Sequence, residues 1–184
     1  MKIILDLCGG TGSWSKPYKN AGYDVRLVSH PEHDVRHYDP PENVYGILAA
    51  PPCTMFSLAR TTAKKPRCFY EGMEVVEACL RIIWEVRKRQ KLAFWALENP
   101  IGFLRQFLGK PSYTFEPWWF GDDSKKKTDL WGYFKEPTRN KEAKRPSYNR
   151  KEWGYRMRQS GLSRAEARAV TPPCFAQAFF DANR

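Results

Sequence analysis

Cys53 is the residue of this sequence best suited to nucleophilic chemistry. It follows Pro51 and Pro52, and the apolar segment 44–50 comes directly before them. A short apolar run bounded by prolines predicts a buried strand of a parallel sheet, and in open α/β sheets ligands bind where such strands end. A thiolate at that edge can attack an electrophilic carbon. The alternative is that Cys53 is a small buried hydrophobic residue, the usual role of a cysteine without a disulfide.

Glu98 is a second candidate, because its carboxyl group can protonate or hold a ring nitrogen. It follows the wholly apolar stretch 92–97, which predicts another strand. The other interpretation is that Glu98 belongs to the start of a helix over 101–108, where the helix dipole favours acidic residues. The presence of Cys53 at the end of a predicted strand favours the catalytic interpretation.

The N-terminal segment predicts a third part of a site, a strand followed by a glycine-rich turn. Residues 2–7 are strand-like and lead into Gly9, Gly10 and Gly12, after which a helix is expected. Such glycines let a ligand approach the backbone, and a helix start offers unpaired N–H groups. Because the dinucleotide pattern G-x-G-x-x-G is not completed, the turn favours a small polar group, such as the amino acid portion of S-adenosylmethionine, over a pyrophosphate.

In this order, the three segments resemble motifs of the C5-cytosine DNA methyltransferases. The family's D-L-F-A-G-x-G-G, P-P-C and E-N motifs correspond to residues 6–13, 51–53 and 98–99. The resemblance covers the chain from residue 3 to about 134, and the separation of P-P-C from E-N is its most specific part. It implies an α/β fold of the Rossmann-like class I S-adenosylmethionine-dependent methyltransferase type, with a mostly parallel sheet and an antiparallel edge hairpin.

The resemblance also implies a mechanism. Cys53 would attack C6 of a cytosine flipped out of DNA while Glu98 engages N3. This adduct would make C5 nucleophilic enough to take a methyl group from S-adenosylmethionine. Asn99 would belong to the catalytic residues, and together with Pro51 it would shape the pocket.

The cofactor would be held largely by the first motif. The residues assigned to it are Asp6, Cys8, Gly9, Gly10, Gly12, Trp14, Asp34 and Pro51. Cys8 stands where the family has a phenylalanine that packs on the adenine, so Trp14 is expected to replace that contact. The acid that would hold the ribose is missing after the strand predicted over 24–29, where Glu32 and His30 are the nearest alternatives. Asp34 corresponds to the family's acid that contacts the adenine amino group.

A cation is expected near Glu98. The family's Q-x-R-x-R motif is absent, and residues 120–131 instead resemble a K-x-T-x-L-W version found in small phage and bacterial relatives. Lys126 and Lys127 are the candidates, and Lys127 is the one assigned to catalysis. The alternative is that this lysine run is solvated surface.

Periodicity predicts the remaining elements. Apolar residues at helical spacing predict an amphipathic crossover helix over 71–90, whose terminal cations 87–89 suit the negative end of the helix dipole without a ligand. Residues 113–120 and 128–134 predict two strands of an antiparallel edge. Residues 171–181 predict a closing helix that returns beside the first motif.

Composition favours a single domain over residues 1–184. The chain is 42% hydrophobic and 15% aromatic, which argues against disorder. It has no stretch of membrane-spanning length, and its first residues lead into a strand, so neither a membrane segment nor a secretory leader is expected. Five cysteines without a C-x-x-C pair favour a reducing cytoplasm. The histidines lack cysteine partners, so no metal site is expected; they are His30, His33 and His37.

Much of the formal charge of +11 lies in residues 135–168, where eleven Lys or Arg accompany four Asp or Glu. Interleaved aromatic residues make this basic insert suited to DNA phosphates and bases, and a merely soluble basic surface is the alternative. The aromatic residues are Tyr148, Trp153 and Tyr155. Ser163 and Glu166 predict a capping box at the start of a short helix.

The insert replaces a target-recognition domain, because only about forty residues separate Trp131 from the closing helix, and a separate domain needs about 100. We therefore expect weak or short sequence specificity, or a protein partner that supplies targeting. A short enzyme of this kind suits a phage or prophage that marks its own DNA. The alternatives are an enzyme acting on RNA or free cytosine nucleotide, and a catalytically silent nucleic-acid-binding protein, which the departures from the family motifs favour.

Overall fold

The structure is a computed structural model that describes residues 1–61, 63–147 and 169–184. Its elements alternate between strands and helices along the first half of the chain. In chain order they are β1 (Ile3–Leu7), α1 (Lys16–Asn20), β2 (Asp24–Val28), a 3-10 turn (Val35–His37), β3 (Val44–Ala49), α2 (Phe69–Arg89), β4 (Phe94–Pro100), α3 (Leu104–Leu108), β5 (Tyr113–Phe115), a second 3-10 turn (Pro117–Phe120), β6 (Thr128–Tyr133) and α4 (Pro173–Asn183).

The strands form one six-stranded sheet in the order β2-β1-β3-β4-β6-β5. The first four strands of this order run parallel, and β6 runs antiparallel to both of its neighbours. The mostly parallel α/β sheet with an antiparallel edge is thus confirmed, and it is compatible with a Rossmann-like fold. The parallel direction brings the carboxyl ends of β1, β3 and β4 to the same edge of the sheet.

Both faces of the sheet are covered. On one face α2 buries Val76, Cys79 and Ile83 against alternate residues of β1, β3 and β4. On the other face Trp14 and residues of α1 and α4 pack against the remaining alternate positions of the same strands. This double burial explains why the central strands are apolar runs without alternation.

The structure corrects two predicted boundaries. Strand β4 continues through Glu98 and Asn99 to Pro100, because these residues pair with β6, and the following helix is only the short α3. The interpretation of Glu98 as part of a helix start is therefore wrong. The strand predicted over 113–120 ends at Phe115, since Pro117 opens a 3-10 turn.

Other predictions are confirmed or lie outside the described residues. The crossover helix and the closing helix form as α2 and α4. The predicted helix start at Ser163 and Glu166 lies outside the described residues, as do the aromatic residues of the basic insert. Within the part of the chain that the structure describes, no helix combines the length and apolar character needed to cross a membrane.

Candidate functional site

The loop that carries Cys53 is fastened to the strand that carries Glu98. Strands β3 and β4 are parallel neighbours, with Ala49 opposite Leu97, so the two motifs leave adjacent strands at the same edge. The side-chain amide of the fully buried Asn99 donates to the carbonyl of Pro51 at 2.9 Å. A buried hydrogen bond thus joins the residue after Glu98 to the proline pair before Cys53.

The Cys53 loop is a tight turn held from two sides. The carbonyl of Cys53 accepts the N–H groups of Phe56 and Ser57 at 3.0 and 2.8 Å. The guanidinium of Arg67 donates to the carbonyls of Met55 and Ser57 at 2.8 and 2.9 Å. The side chain of Phe56 is fully buried and anchors the turn. Cys53 itself is half-buried.

Further bonds run from this loop to the segment after β4. Ser57 forms an isolated bridge with Gly102, and the N–H of Phe103 donates to the carbonyl of Phe56 at 2.9 Å. A Cβ atom at Gly102 would lie 2.2 Å from that carbonyl oxygen, so only glycine allows this approach. The backbone therefore fixes the Cys53 loop along the end of β4.

Glu98 lies in a largely desolvated position beside a lysine. Its side chain is 16% exposed, and its carboxylate lies 3.8 Å from the ammonium of Lys126. Burial raises the pKa of Glu98, Lys126 lowers it, and the carboxylate of Asp129 raises it further. The net effect raises the pKa of Glu98 above its ordinary value, which makes the carboxyl group better suited to donate a proton to a ring nitrogen.

The cation beside Glu98 is Lys126 rather than Lys127, to which the sequence analysis assigned the role. The ion pair joins Lys126 to Glu98, whereas the carbonyl of Lys127 accepts the N–H of Ile101 at 3.0 Å. The two lysines immediately precede β6. Adjacent residues of an extended chain point in opposite directions, so a shift of one position selects a different side chain.

The first motif places a buried carboxylate against the glycine turn. Asp6 is fully buried, and the hydroxyl of Ser15 donates to its Oδ2 at 2.5 Å. Its Oδ1 finds no hydrogen-bond partner among the described residues. Burial raises the pKa of Asp6 to about 6, although Ser15 opposes the shift. A Cβ atom at Gly9 would lie 2.2 Å from Oδ1 of Asp6, so this position requires glycine.

The glycine turn also offers an open backbone surface. Gly10 has a φ of +55°, and a Cβ atom there would meet nothing within 4 Å. The N–H of Gly10 already donates to the hydroxyl of Ser29 at 3.0 Å, so the buried and unpartnered oxygen of Asp6 is the polar group of this turn that could take up the ammonium of an amino acid group. Asp6 and the glycine turn are the residues here that could hold that portion of S-adenosylmethionine.

Cys8 and Trp14 face the interior. The thiol of Cys8 lies 4.0 Å from that of Cys79 in α2, and Cys8 packs beside the core on that face. Trp14 is 1% exposed, and its ring lies 6.0 and 5.4 Å from the rings of Phe175 and Phe179. This packing corrects the prediction that Trp14 contacts an adenine, because α4 already covers the indole ring.

Asp34 is engaged by a neighbour. The side chain of Arg36 donates to both of its oxygens, and the backbone N–H of Arg36 donates at 3.0 Å. These bonds hold the pKa of Asp34 well below its usual range. His30 and His37 lie 3.8 and 3.6 Å from the same carboxylate. An adenine amino group would have to share an acid that already caps a 3-10 turn.

Asp129 and Arg67 were not predicted from the sequence as parts of the site. Asp129 is fully buried, and Arg105 binds both of its oxygens at 2.7 and 2.6 Å while Thr114 donates at 2.7 Å. The signal was an acid inside the apolar strand pattern of β6, which needs a cation when buried. Arg67 carried no such signal, because its partners are backbone carbonyls.

The arrangement supplies a half-buried thiol, a carboxyl group with a raised pKa and a glycine turn with a buried carboxylate along one sheet edge. Within residues 1–61, 63–147 and 169–184, no three His, Cys, Asp or Glu side chains are grouped to hold a metal ion. A nucleophile and a proton donor on adjacent strands can together attack and activate an unsaturated ring. Comparison with protein-family models gives no match, and comparison with curated proteins gives none either.

Proposed function

We propose that this protein transfers a methyl group from S-adenosylmethionine to C5 of cytosine in DNA. The observation that carries the proposal is the bond between Asn99 and the Pro51 carbonyl, which ties the loop of Cys53 to the strand of Glu98. An isolated buried cysteine would not need a carboxyl group with a raised pKa on the adjacent strand. Nucleophilic activation of a pyrimidine needs both groups.

The reaction assigns a bond and a proton to each residue. The Cys53 thiolate forms a bond to C6 of cytosine, and protonated Glu98 donates its proton to N3, which leaves an enamine with a nucleophilic C5. S-adenosylmethionine, when bound, would supply the methyl group as an electrophile and would leave as S-adenosylhomocysteine once its S–CH3 bond breaks. After C5 has accepted the methyl group, loss of the C5 proton to water and departure of the Cys53 thiolate restore the aromatic ring, and N3 returns its proton to Glu98.

Lys126 and Asp129 tune this proton transfer. The ammonium of Lys126 favours ionised Glu98, and the Asp129 carboxylate favours the protonated form. Because the first and largest effect is burial, exclusion of water by a bound base would raise the pKa of Glu98 further.

The experiment is nucleoside mass spectrometry of DNA from cells that express the wild type, Cys53→Ser or Cys68→Ser. Cys68 is a matched control, since it is also half-buried and has no role in the reaction. We expect a 5-methylated cytosine with the wild type and with Cys68→Ser, and none with Cys53→Ser. Modification that persists in Cys53→Ser would overturn the mechanism. Duplex DNA, single-stranded DNA, RNA and dCMP as purified substrates then identify the substrate class.

A second candidate function is nucleic-acid binding without catalysis. It is favoured by the engagement of Trp14 and Asp34 within the protein, which leaves the adenine of the cofactor without the expected contacts. Calorimetry with S-adenosylmethionine separates the two functions. Heat of binding that is lost in Asp6→Asn supports the enzyme, and no heat with the wild type supports the silent protein.

A further inference from the structure

We propose that a cavity at the sheet edge opposite Cys53 is a binding site for single-stranded DNA. The cavity has a volume of about 510 Å³ and lies where α2 ends, β4 begins and β6 ends. Its lining residues are Arg87, Lys88, Arg89, Gln90, Lys91, Leu92, Trp95 and Tyr133. This site goes beyond the proposed methyl transfer and does not depend on it.

The position separates this cavity from the catalytic edge. Trp95 pairs with Tyr133 near the start of β4, whereas Glu98 and Pro100 lie at its other end. The seven residues of β4 span about 20 Å at roughly 3.3 Å per residue. A DNA strand in the cavity therefore contacts the protein at a place distinct from Cys53.

Among the described residues, the lining has four cations and no acidic side chain. Arg87, Lys88 and Lys91 form no ion pair with any described residue. The dipole of α2 favours cations in its last turn, but Lys91 lies beyond the helix. Four like charges around one concave surface repel each other, and a chain of phosphates relieves that repulsion by ion pairing.

Aromatic side chains accompany these cations. Tyr133 lines the cavity and is 66% exposed, and Trp84, 59% exposed, lies beside Arg87 with its ring 5.7 Å from the guanidinium. The indole N–H of Trp95 is buried and has no acceptor among the described residues. Exposed rings beside cations are typical of single-strand binding, because unpaired bases stack on the rings while phosphates meet the cations. A duplex keeps its bases stacked inside and would leave Tyr133 unused.

The probe is fluorescein-labelled (dT)12, which contains no cytosine and so cannot be methylated at C5. In the full-length variant Arg87→Ala/Lys88→Ala/Lys91→Ala, we expect the slope of log K against log salt to become shallower by about 2, because each of the three lost phosphate contacts contributes roughly 0.7. Near 0.1 M salt the variant should then bind about a hundredfold more weakly, which is the difference that this slope change produces between 1 M and 0.1 M salt. The control is Lys19→Ala/Lys110→Ala/Arg184→Ala, which removes the same charge from exposed positions outside the cavity and the catalytic edge. Its slope should stay close to that of the wild type.

Tyr133 tests the stacking. We expect Tyr133→Ala to weaken (dT)12 binding about five- to a hundredfold with an unchanged salt slope, and Tyr133→Phe, which keeps the ring, to bind normally.

Equal losses in the two triple variants would overturn the site. Equal affinity of Tyr133→Ala and the wild type, with duplex (dA·dT)12 bound as tightly, would overturn single-strand recognition. Binding without methylation refutes only the proposed function, and methylation without these binding losses refutes only this site.

Discussion

The hydrogen bond between Asn99 and Pro51 makes Asn99→Ala a direct test of the site. The substitution leaves the buried Pro51 carbonyl without its donor, which costs about 1–3 kcal/mol. It also removes the Oδ1 of Asn99, which is buried and unpaired among the described residues, so part of that cost is recovered. We expect a net loss of about 1–2 kcal/mol in the free energy of unfolding, and a Tm lower by about 2–8 °C for a chain of this size.

The assay combines calorimetry with alkylation of Cys53 by iodoacetamide, followed by mass spectrometry. If Asn99 holds the loop in place, Cys53 of Asn99→Ala should be labelled several-fold faster in the folded protein. Asn20→Ala is the control, because Asn20 is exposed at the end of α1; it should leave both readouts within error of the wild type. An Asn99→Ala variant with wild-type Tm and wild-type Cys53 labelling would refute the coupling of the two motifs.

Three further predictions concern the described site. Arg105→Ala should cost about 3 kcal/mol in chemical denaturation, because Asp129 stays buried without its cation, and pairing it with Asp129→Ala should cost less than the sum. Gly102→Ala should lower the Tm by several degrees, since its Cβ would collide with the Phe56 carbonyl. Asp6→Asn should gain stability relative to the wild type as the pH rises from 4.5 to 7.5. Burial raises the pKa of Asp6 from 3.8 to about 6, so the cost of ionising the folded-state carboxyl builds up between these two values and reaches about 3 kcal/mol above pH 6; urea denaturation at both pH values measures it.

The sequence predicted the backbone of the site well, because strand ends are marked by local signals. Proline pairs bracket β3, an unbroken apolar run marks β4, and glycines follow β1. Parallel pairing then brings these ends together without any further information. Whether Glu98 lies in a strand or at the start of a helix was decided by the pairing of β4 with β6. This pairing joins residues about thirty positions apart, and no local pattern encodes it.

Side-chain environments were predicted less well, because they depend on contacts distant in the sequence. Trp14 was expected at a ligand, yet α4 covers it with Phe175 and Phe179, more than 150 residues further along. The engagement of Asp34 is different, since Arg36 lies only two residues away and a short-range ion pair was detectable in the sequence. The choice between Lys126 and Lys127 depended on a register of one residue, which amino acid types alone do not fix.

Asp6 gives the strongest reason to expect a ligand at the glycine turn. A buried carboxylate with one unpaired oxygen destabilises the folded chain above pH 6, and a purely structural position would be better filled by Asn or an apolar residue. Binding of an ammonium group would supply the missing partner and lower the pKa of Asp6. By linkage, affinity for S-adenosylmethionine should then rise as the pH increases from 5 to 7, whereas an anionic ligand at the same place would bind more weakly over that range.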